Sequence, residues 1–358
     1  MEIFWYIVLM FMLGVYVILD GYDFGVGIIH LFFAKKEEDK SSITKSIGPF
    51  WDANEVWLIA AGGVLFFAFP TLYASSFSGF YLPLIMILWL LIFRAIGLEL
   101  RGQVNNSMWH KIWDKAFGIS SLLLALFFGL ALGNVVRGVN LGVVENGISK
   151  YEAIYFFVPL WNSEFSPFSE RLGIIDWFTI LVGIVAVVAL TIHGANWVIF
   201  KTNSSINNKL KDVVLKLTIV LCLLVVVSVV VWSSVNSNPL QNFIDYPLLL
   251  IFPTIGLFGL INLLRIKKFK KDGLGFLNSS LFLFGAFAST ASALFPVLLP
   301  STNSVNPSLT IYNAAADSYG LSVGIWWWLI AIILVGIYLI IQYRIFKGKM
   351  DHVPYGHH

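Results

Sequence analysis

The chain has 358 residues, of which 58% are hydrophobic and only 12% charged. Soluble domains carry about 25% charged residues, so this composition excludes a surface that mostly faces water, as does the mean hydropathy of +0.83. The net charge of +3 gives no basic face for nucleic acid, and the single cysteine, Cys222, excludes an intrachain disulfide.

A spanning helix needs about 20 mostly apolar residues. Nine stretches meet that length: 3–33, 56–73, 77–97, 116–136, 174–200, 213–235, 247–264, 274–299 and 321–346. The expected fold class is therefore an all-α polytopic membrane protein. The first stretch is too long for the core of a signal peptide and has no basic residue before it, so it is expected to stay as a span. With the N-terminus outside, every Lys and Arg falls on the inner side except Arg137, Lys150 and Arg171. The positive-inside rule predicts such a bias and fixes the orientation. An outer loop, 137–173, is rich in Glu and aromatics. The closing Gly356-His357-His358 carries no functional argument.

In chain order, the first helix holds Asp20 and Asp23, which share a face by their i,i+3 spacing. At about 1.5 Å per residue, Asp23 lies about 18 Å from Lys35, near mid-depth. Charge in hydrocarbon costs about 2.5–3.5 kcal/mol at a helix centre, and mid-helix carboxylates cannot be caps, so a functional or packing role is favoured. Gly21 and Gly25 form a small-xxx-small pair that lets a neighbouring helix come close. The second helix opens on Asp52 and Glu55, the third closes on Arg94, Glu99 and Arg101, and the fourth opens on Asp114. All four helices bring charge to the inner half of the membrane, which suggests one polar cluster. A plainer reading makes Asp52 and Asp114 helix caps, Glu55 the partner in a capping box, and Arg94 a snorkelling side chain.

His30 and His193 also lie within spans. Haem ligation is conceivable for such residues, but a hydrogen-bonded packing role is commoner. Asp20-Gly21-Tyr22-Asp23-Phe24 in the first helix is faintly echoed by His193-Gly194-Ala195-Asn196-Trp197 in the fifth. The echo hints at two related four-helix units plus a ninth helix. No phosphate loop, dinucleotide fingerprint, zinc motif or redox motif is present.

Several motifs carry a family resemblance. Asp20-Gly21-Tyr22-Asp23-Phe24-Gly25-Val26-Gly27 and Trp51-Asp52-Ala53-Asn54-Glu55-Val56-Trp57-Leu58 resemble signatures of subunit II of cytochrome bd-type quinol oxidases. Ala61-Gly62-Gly63, Phe69-Pro70, Phe77-Ser78-Gly79-Phe80-Tyr81, Phe93-Arg94, Trp113-Asp114, Phe295-Pro296 and Pro300-Ser301 extend the match along the chain. Ala53 departs from it, since Gly is common there, and the outer loop has no recognisable pattern. The resemblance implies two four-helix bundles (1–136 and 174–299) with a peripheral ninth helix (321–346). It implies a bacterial inner-membrane complex that oxidises quinol and reduces dioxygen to water. Two haems b and one haem d would belong to subunit I, leaving this chain with no cofactor of its own and inactive alone. Further expected contacts are small single-helix subunits, lipid and quinone.

On that footing Asp52 is expected to take protons in from the inner side and Asp23 to relay them, with Asp20, Glu55 and Glu99 in support. Arg94 would pair with a carboxylate or a haem propionate, and Asp114 would serve charge pairing or assembly. Two rivals use the same residues. An ion-coupled transporter would show helices broken at matching places in both halves, for which Gly21 to Gly27 offers one place. A purely structural subunit would use its charges only to hold subunit I.

Overall fold

The computed structural model describes residues 1–236 and 240–350; Gly356-His357-His358 lie outside them. Twelve α-helices follow in order among the described residues: α1 (Glu2–Phe32), α2 (Glu37–Ile47), α3 (Trp51–Ala68), α4 (Pro70–Gly79), α5 (Tyr81–Arg101), α6 (Ser107–Arg137), α7 (Trp177–Lys201), α8 (Asn207–Val235), α9 (Gln241–Asp245), α10 (Ile251–Leu263), α11 (Gly273–Leu294) and α12 (Ser318–Ile345). Two short hairpins complete them, β1 (Val144–Glu145) with β2 (Ile148–Ser149) and β3 (Val297–Leu299) with β4 (Leu309–Thr310).

The described residues hold seven helices long and apolar enough to cross a membrane, or eight if the bent pair α3–α4 is one span. The expected count of nine differs at two places, both with a proline. The stretch 56–73 reads as one apolar run, but it contains Pro70. A proline disfavours the helical region for the residue before it, and Phe69 sits at φ −134°, ψ 62°. The chain turns there by 119°. The stretch 247–264 begins with a 3₁₀ turn at Pro247–Leu250 before α10. Together they form an apolar helix of 247–263, about 25 Å long and shorter than a bilayer core. By contrast, α1 runs unbroken through Gly21 to Gly27, so the broken helix that a transporter would place there is absent.

α1 is the helix around which the others assemble, with α3, α6, α7 and α11 packed on it. Every residue from Asp20 to His30 is buried, all round the helix. The crossing with α7 requires glycine on both sides. A Cβ on Gly25 would stand 1.9 Å from the Leu190 carbonyl oxygen, and one on Gly194 would stand 2.2 Å from the Gly25 carbonyl carbon. The echoed motifs of the two helices thus meet at this crossing, where Tyr22 stacks on Trp197 at 3.9 Å.

The 137–173 segment is tied down at both ends. Arg137 forms a buried ion pair with Asp176, which caps α7 through the backbone N–H of Thr179. Ser78 donates to the Phe156 carbonyl at 2.7 Å, joining the loop to α4. At the other end of the helices, Lys349 bonds Asp272 at 2.8 Å and the Ile199 carbonyl at 2.7 Å. Burial pushes the Asp272 carboxyl up, but Lys349 and Lys211 outweigh it and hold the group below its ordinary value. Gln342 donates to the Pro49 carbonyl at 2.6 Å. α12 is thereby pinned at its basic end, while most of its length is exposed.

Gly194→Ala is expected to destabilise the protein by about 1–3 kcal/mol or more, because backbone and not a flexible side chain blocks the new methyl group. Gly14→Ala, whose nearest obstacle is the Phe287 ring at 3.4 Å, serves as the tolerated control. Thermal unfolding midpoints of the two purified variants check this, and equal midpoints would refute the crossing.

Candidate functional site

The charges expected to form one cluster form two. The first lies among α1, α3 and α5. Arg94 donates through Nη1 to Asp20 Oδ1 at 2.6 Å and through Nη2 to Glu55, and its guanidinium lies 4.8 Å from the centre of the Phe24 ring. Arg94 therefore pairs inward and does not snorkel. Asp20 and Asp23 are fully buried and Arg94 nearly so, while the Glu55 side chain is 22% exposed. Asp23 Oδ2 accepts from Asn54 Nδ2 at 2.8 Å. The same amide reaches the Tyr22 hydroxyl at 2.7 Å.

Helix geometry explains who faces whom. Asp52 and Glu55 are three residues apart and share a face, whereas Asn54 is turned about 200° from Asp52. Asn54 is consequently buried against α1, and Asp52 is exposed. Asp52 is not a cap, since α3 begins at Trp51 after Phe50 and makes no side-chain capping bond, so the capping box with Glu55 is not formed either. Glu99 is exposed and accepts from the Trp51 indole at 3.1 Å, at the rim of the first cluster.

The second cluster joins α1, α2, α5 and α6 nearer the basic end. Asp114 accepts from Arg101 Nε at 2.6 Å and from Lys40 Nζ at 2.7 Å, and His30 Nε2 lies 2.8 Å from the same carboxylate. Arg101 also bonds Glu37, with His110 3.4 Å away. Asp114 is no helix cap: α6 starts seven residues earlier, and Asn106 caps it by accepting from the N–H groups of Met108 and Trp109. About seven residues of α1, or 10 Å, separate Asp23 from His30 along the helix.

The carboxylates of the two clusters differ in saturation. Asp114 has a donor at each oxygen, and His30 Nδ1 beside it has no partner among the described residues. In the first cluster, Asp20 Oδ2, Asp23 Oδ1 and Arg94 Nε are buried without a partner among the described residues. Asp20 and Glu55 share the Arg94 guanidinium, and Asp23, one turn from Asp20 on α1, brings a third carboxyl group to the same site. Carboxyl oxygens without a partner can accept a proton, whereas the Asp114 oxygens are already taken by Arg101 and Lys40.

Both ring nitrogens of His193 are engaged, Nδ1 with Ser279 Oγ at 2.8 Å and Nε2 with the Ile18 carbonyl at 2.9 Å, which makes it a packing residue. Among the described residues no group of three His, Cys, Asp or Glu side chains could hold a metal ion. Sequence reasoning missed Tyr22, Asn54 and Lys40. Asn54 was within reach, because its position on α3 opposite Asp52 already assigns it to the inner face.

Comparison with known proteins places this geometry in context. The family model for cytochrome bd terminal oxidase subunit II matches residues 1–346. The chain is 30% identical over 364 residues to cytochrome bd-I ubiquinol oxidase subunit 2 of Escherichia coli, covering 94% of this chain and 91% of the relative. It is 27% identical over 375 residues to a probable cytochrome oxidase subunit 2 of Haemophilus influenzae, covering 98% and 94%. It is 28% identical over 324 residues to cytochrome bd ubiquinol oxidase subunit 2 of Bacillus subtilis, covering 89% and 88%. Its fold is similar to that of a chain in the bd oxidase structure from Geobacillus thermodenitrificans, with a TM-score of 0.62 at 14% identity over 97% of this chain and 98% of that one.

Arg94→Ala is expected to cost about 3–5 kcal/mol, because it strands buried carboxyl groups. Asp114→Asn, which keeps an acceptor for Lys40 or Arg101 nearer the basic surface, should cost less. Membrane yield and unfolding midpoint of the two variants test the ranking, and a milder Arg94 variant would reverse it.

Proposed function

The chain belongs to the cytochrome bd terminal oxidase subunit II family, and we propose that within a quinol oxidase complex it supplies a proton route from the basic, inner side of the membrane. The family assigns it a partner, subunit I, and a place in an oxidoreductase complex; its apolar helices fit a multi-pass membrane protein. In this reading the orientation has the N-terminus outside, in a bacterial inner membrane. The bent pair α3–α4 and the helix at 247–263 then count as the spans that make nine, grouped as two four-helix bundles and a peripheral α12. Subunit I holds two haems b and one haem d, and this chain adds no redox centre and no activity alone.

Reducing dioxygen to water consumes protons, and hydrocarbon about 30 Å thick does not pass them unaided. Asp52, exposed at the start of α3, takes the proton. Glu55, on the same face one turn on and partly exposed, passes it inward to the Asp20–Asp23 pair. The observation that carries this reading is the shared guanidinium: Asp20 and Glu55 are both on Arg94, with Asp23 one turn along α1 and an oxygen on each aspartate unpartnered among the described residues. Glu99 adds a further acidic group at the rim.

The Asp114 cluster, its carboxylate engaged at both oxygens, is read as an assembly element that ties α2 to the ends of α1, α5 and α6. An apolar cavity of about 710 Å³, lined by Leu9, Gly63, Tyr73, Phe128 and Thr290 among others, gives lipid or the tail of a quinone a place in this chain. Single-helix accessory subunits would pack on the exposed faces.

Asp52→Asn and Asp23→Asn are expected to slow quinol-driven oxygen consumption of the purified complex by about 10-fold or more, the scale of a lost proton-transfer group. Haem content should stay at the wild-type level. Full activity in both variants would remove the proton route, and loss of haem with loss of activity would make the residues structural.

A further inference from the structure

Tyr343 lies near the end of α12, yet its hydroxyl approaches that of Tyr22 on α1 to 3.2 Å. Neither ring is free to swing. Tyr343 packs on Phe50 at 5.0 Å, and Tyr22 stacks on Trp197 at 3.9 Å and meets Phe276 edge-on at 5.7 Å. The Tyr22 oxygen also sits 2.7 Å from Asn54 Nδ2, and that nitrogen faces the Leu19 carbonyl at 3.2 Å and Asp23 Oδ2 at 2.8 Å. A peptide carbonyl can only accept, so the amide presents its nitrogen here and not its oxygen. Tyr22 therefore accepts from Asn54 and has its own hydroxyl proton to place. Among the described residues, the acceptor within hydrogen-bond reach of that proton is the Tyr343 oxygen.

The alternative destination is close. Asn54 touches both Tyr22 and Asp23 through one nitrogen, and Asp23 Oδ1 is buried with no partner among the described residues. We propose that Tyr343 is a positioning residue for Asp23: by taking the Tyr22 hydroxyl proton, it keeps that proton off the neighbouring carboxyl and leaves Asp23 open to the proton arriving along the relay. The inference rests on Asp23 acting as a relay. It assigns to the last helix, through a single hydroxyl at its pinned end, a part in the chemistry of the first.

Without the Tyr343 hydroxyl, the Tyr22 proton is left buried and unpaired, which drives it toward the Asp23 carboxyl. An added O–H bond favours the ionised form of a carboxyl group. The groups that face this spot are Tyr16 and Asp20 from α1, Glu55 from α3, Arg94 from α5, and His193 and Lys201 from α7, beside Tyr22 and Trp197. All stay in place in the Tyr343→Phe variant below, so a displaced profile there reports the hydroxyl alone.

The test measures quinol-driven oxygen consumption of the purified complex as a function of pH. In Tyr343→Phe the alkaline limb is expected to move to lower pH by about half a unit to one unit, with wild-type haem content and an unchanged KM for quinol. In the double variant Tyr22→Phe/Tyr343→Phe no hydroxyl remains to turn, and the limb should return to its wild-type position. An unmoved limb in Tyr343→Phe overturns the proposal, as does a double variant displaced further than the single one. Asp23→Asn separates the two levels. If that variant turns over like wild type, the relay reading itself has failed; if it is slow while Tyr343→Phe is unmoved, only the positioning role is lost.

Discussion

A guanidinium kept out of water must be surrounded by negative partners, and Arg94 satisfies that requirement by drawing Asp20 from α1 and Glu55 from α3 onto one point of α5. Breaking such a buried pair costs several kcal/mol, whereas an exposed one contributes little. The three helices are consequently held in one register and at one rotation. That rotation sends Asn54 inward and Asp52 outward, and it places Asp23 beside the amide that orients it. The proton chemistry proposed for the chain depends on this arrangement more than on any single carboxyl group.

The second cluster has a different logic. Lys40 and Glu37 come from α2, a short polar helix with little apolar surface to bury. Asp114 and Arg101 tie it to the membrane-spanning helices through Lys40 and Glu37. Both oxygens of the Asp114 carboxylate are engaged, while His30 Nδ1 is left without a partner among the described residues. The first cluster lies deep in the bundle with unpartnered carboxylate oxygens, and the second holds its carboxylate between two basic side chains nearer the edge.

Much of this was legible from the residues alone. Mid-helix Asp20 and Asp23 could not be caps, and a buried pair with a basic partner was the physical solution available to them. The long apolar runs located α1, α5, α6, α7, α8, α11 and α12. What was not legible depended on tertiary neighbours. Composition averages over Pro70, so the turn at Phe69 was hidden inside a run of suitable length. Asp114 looked like a helix start because apolar residues begin just after it, while α6 actually starts in the polar segment at Ser107. Tyr22 and Tyr343 are 321 residues apart, and no spacing rule connects them.

The contact of Gly25 with Gly194 leaves the two halves of the chain no clearance along their shared seam. Backbones already touching have no room for a side chain between them. A side chain at either glycine would have to wedge α1 and α7 apart, and with them the Tyr22–Trp197 stack beside the crossing.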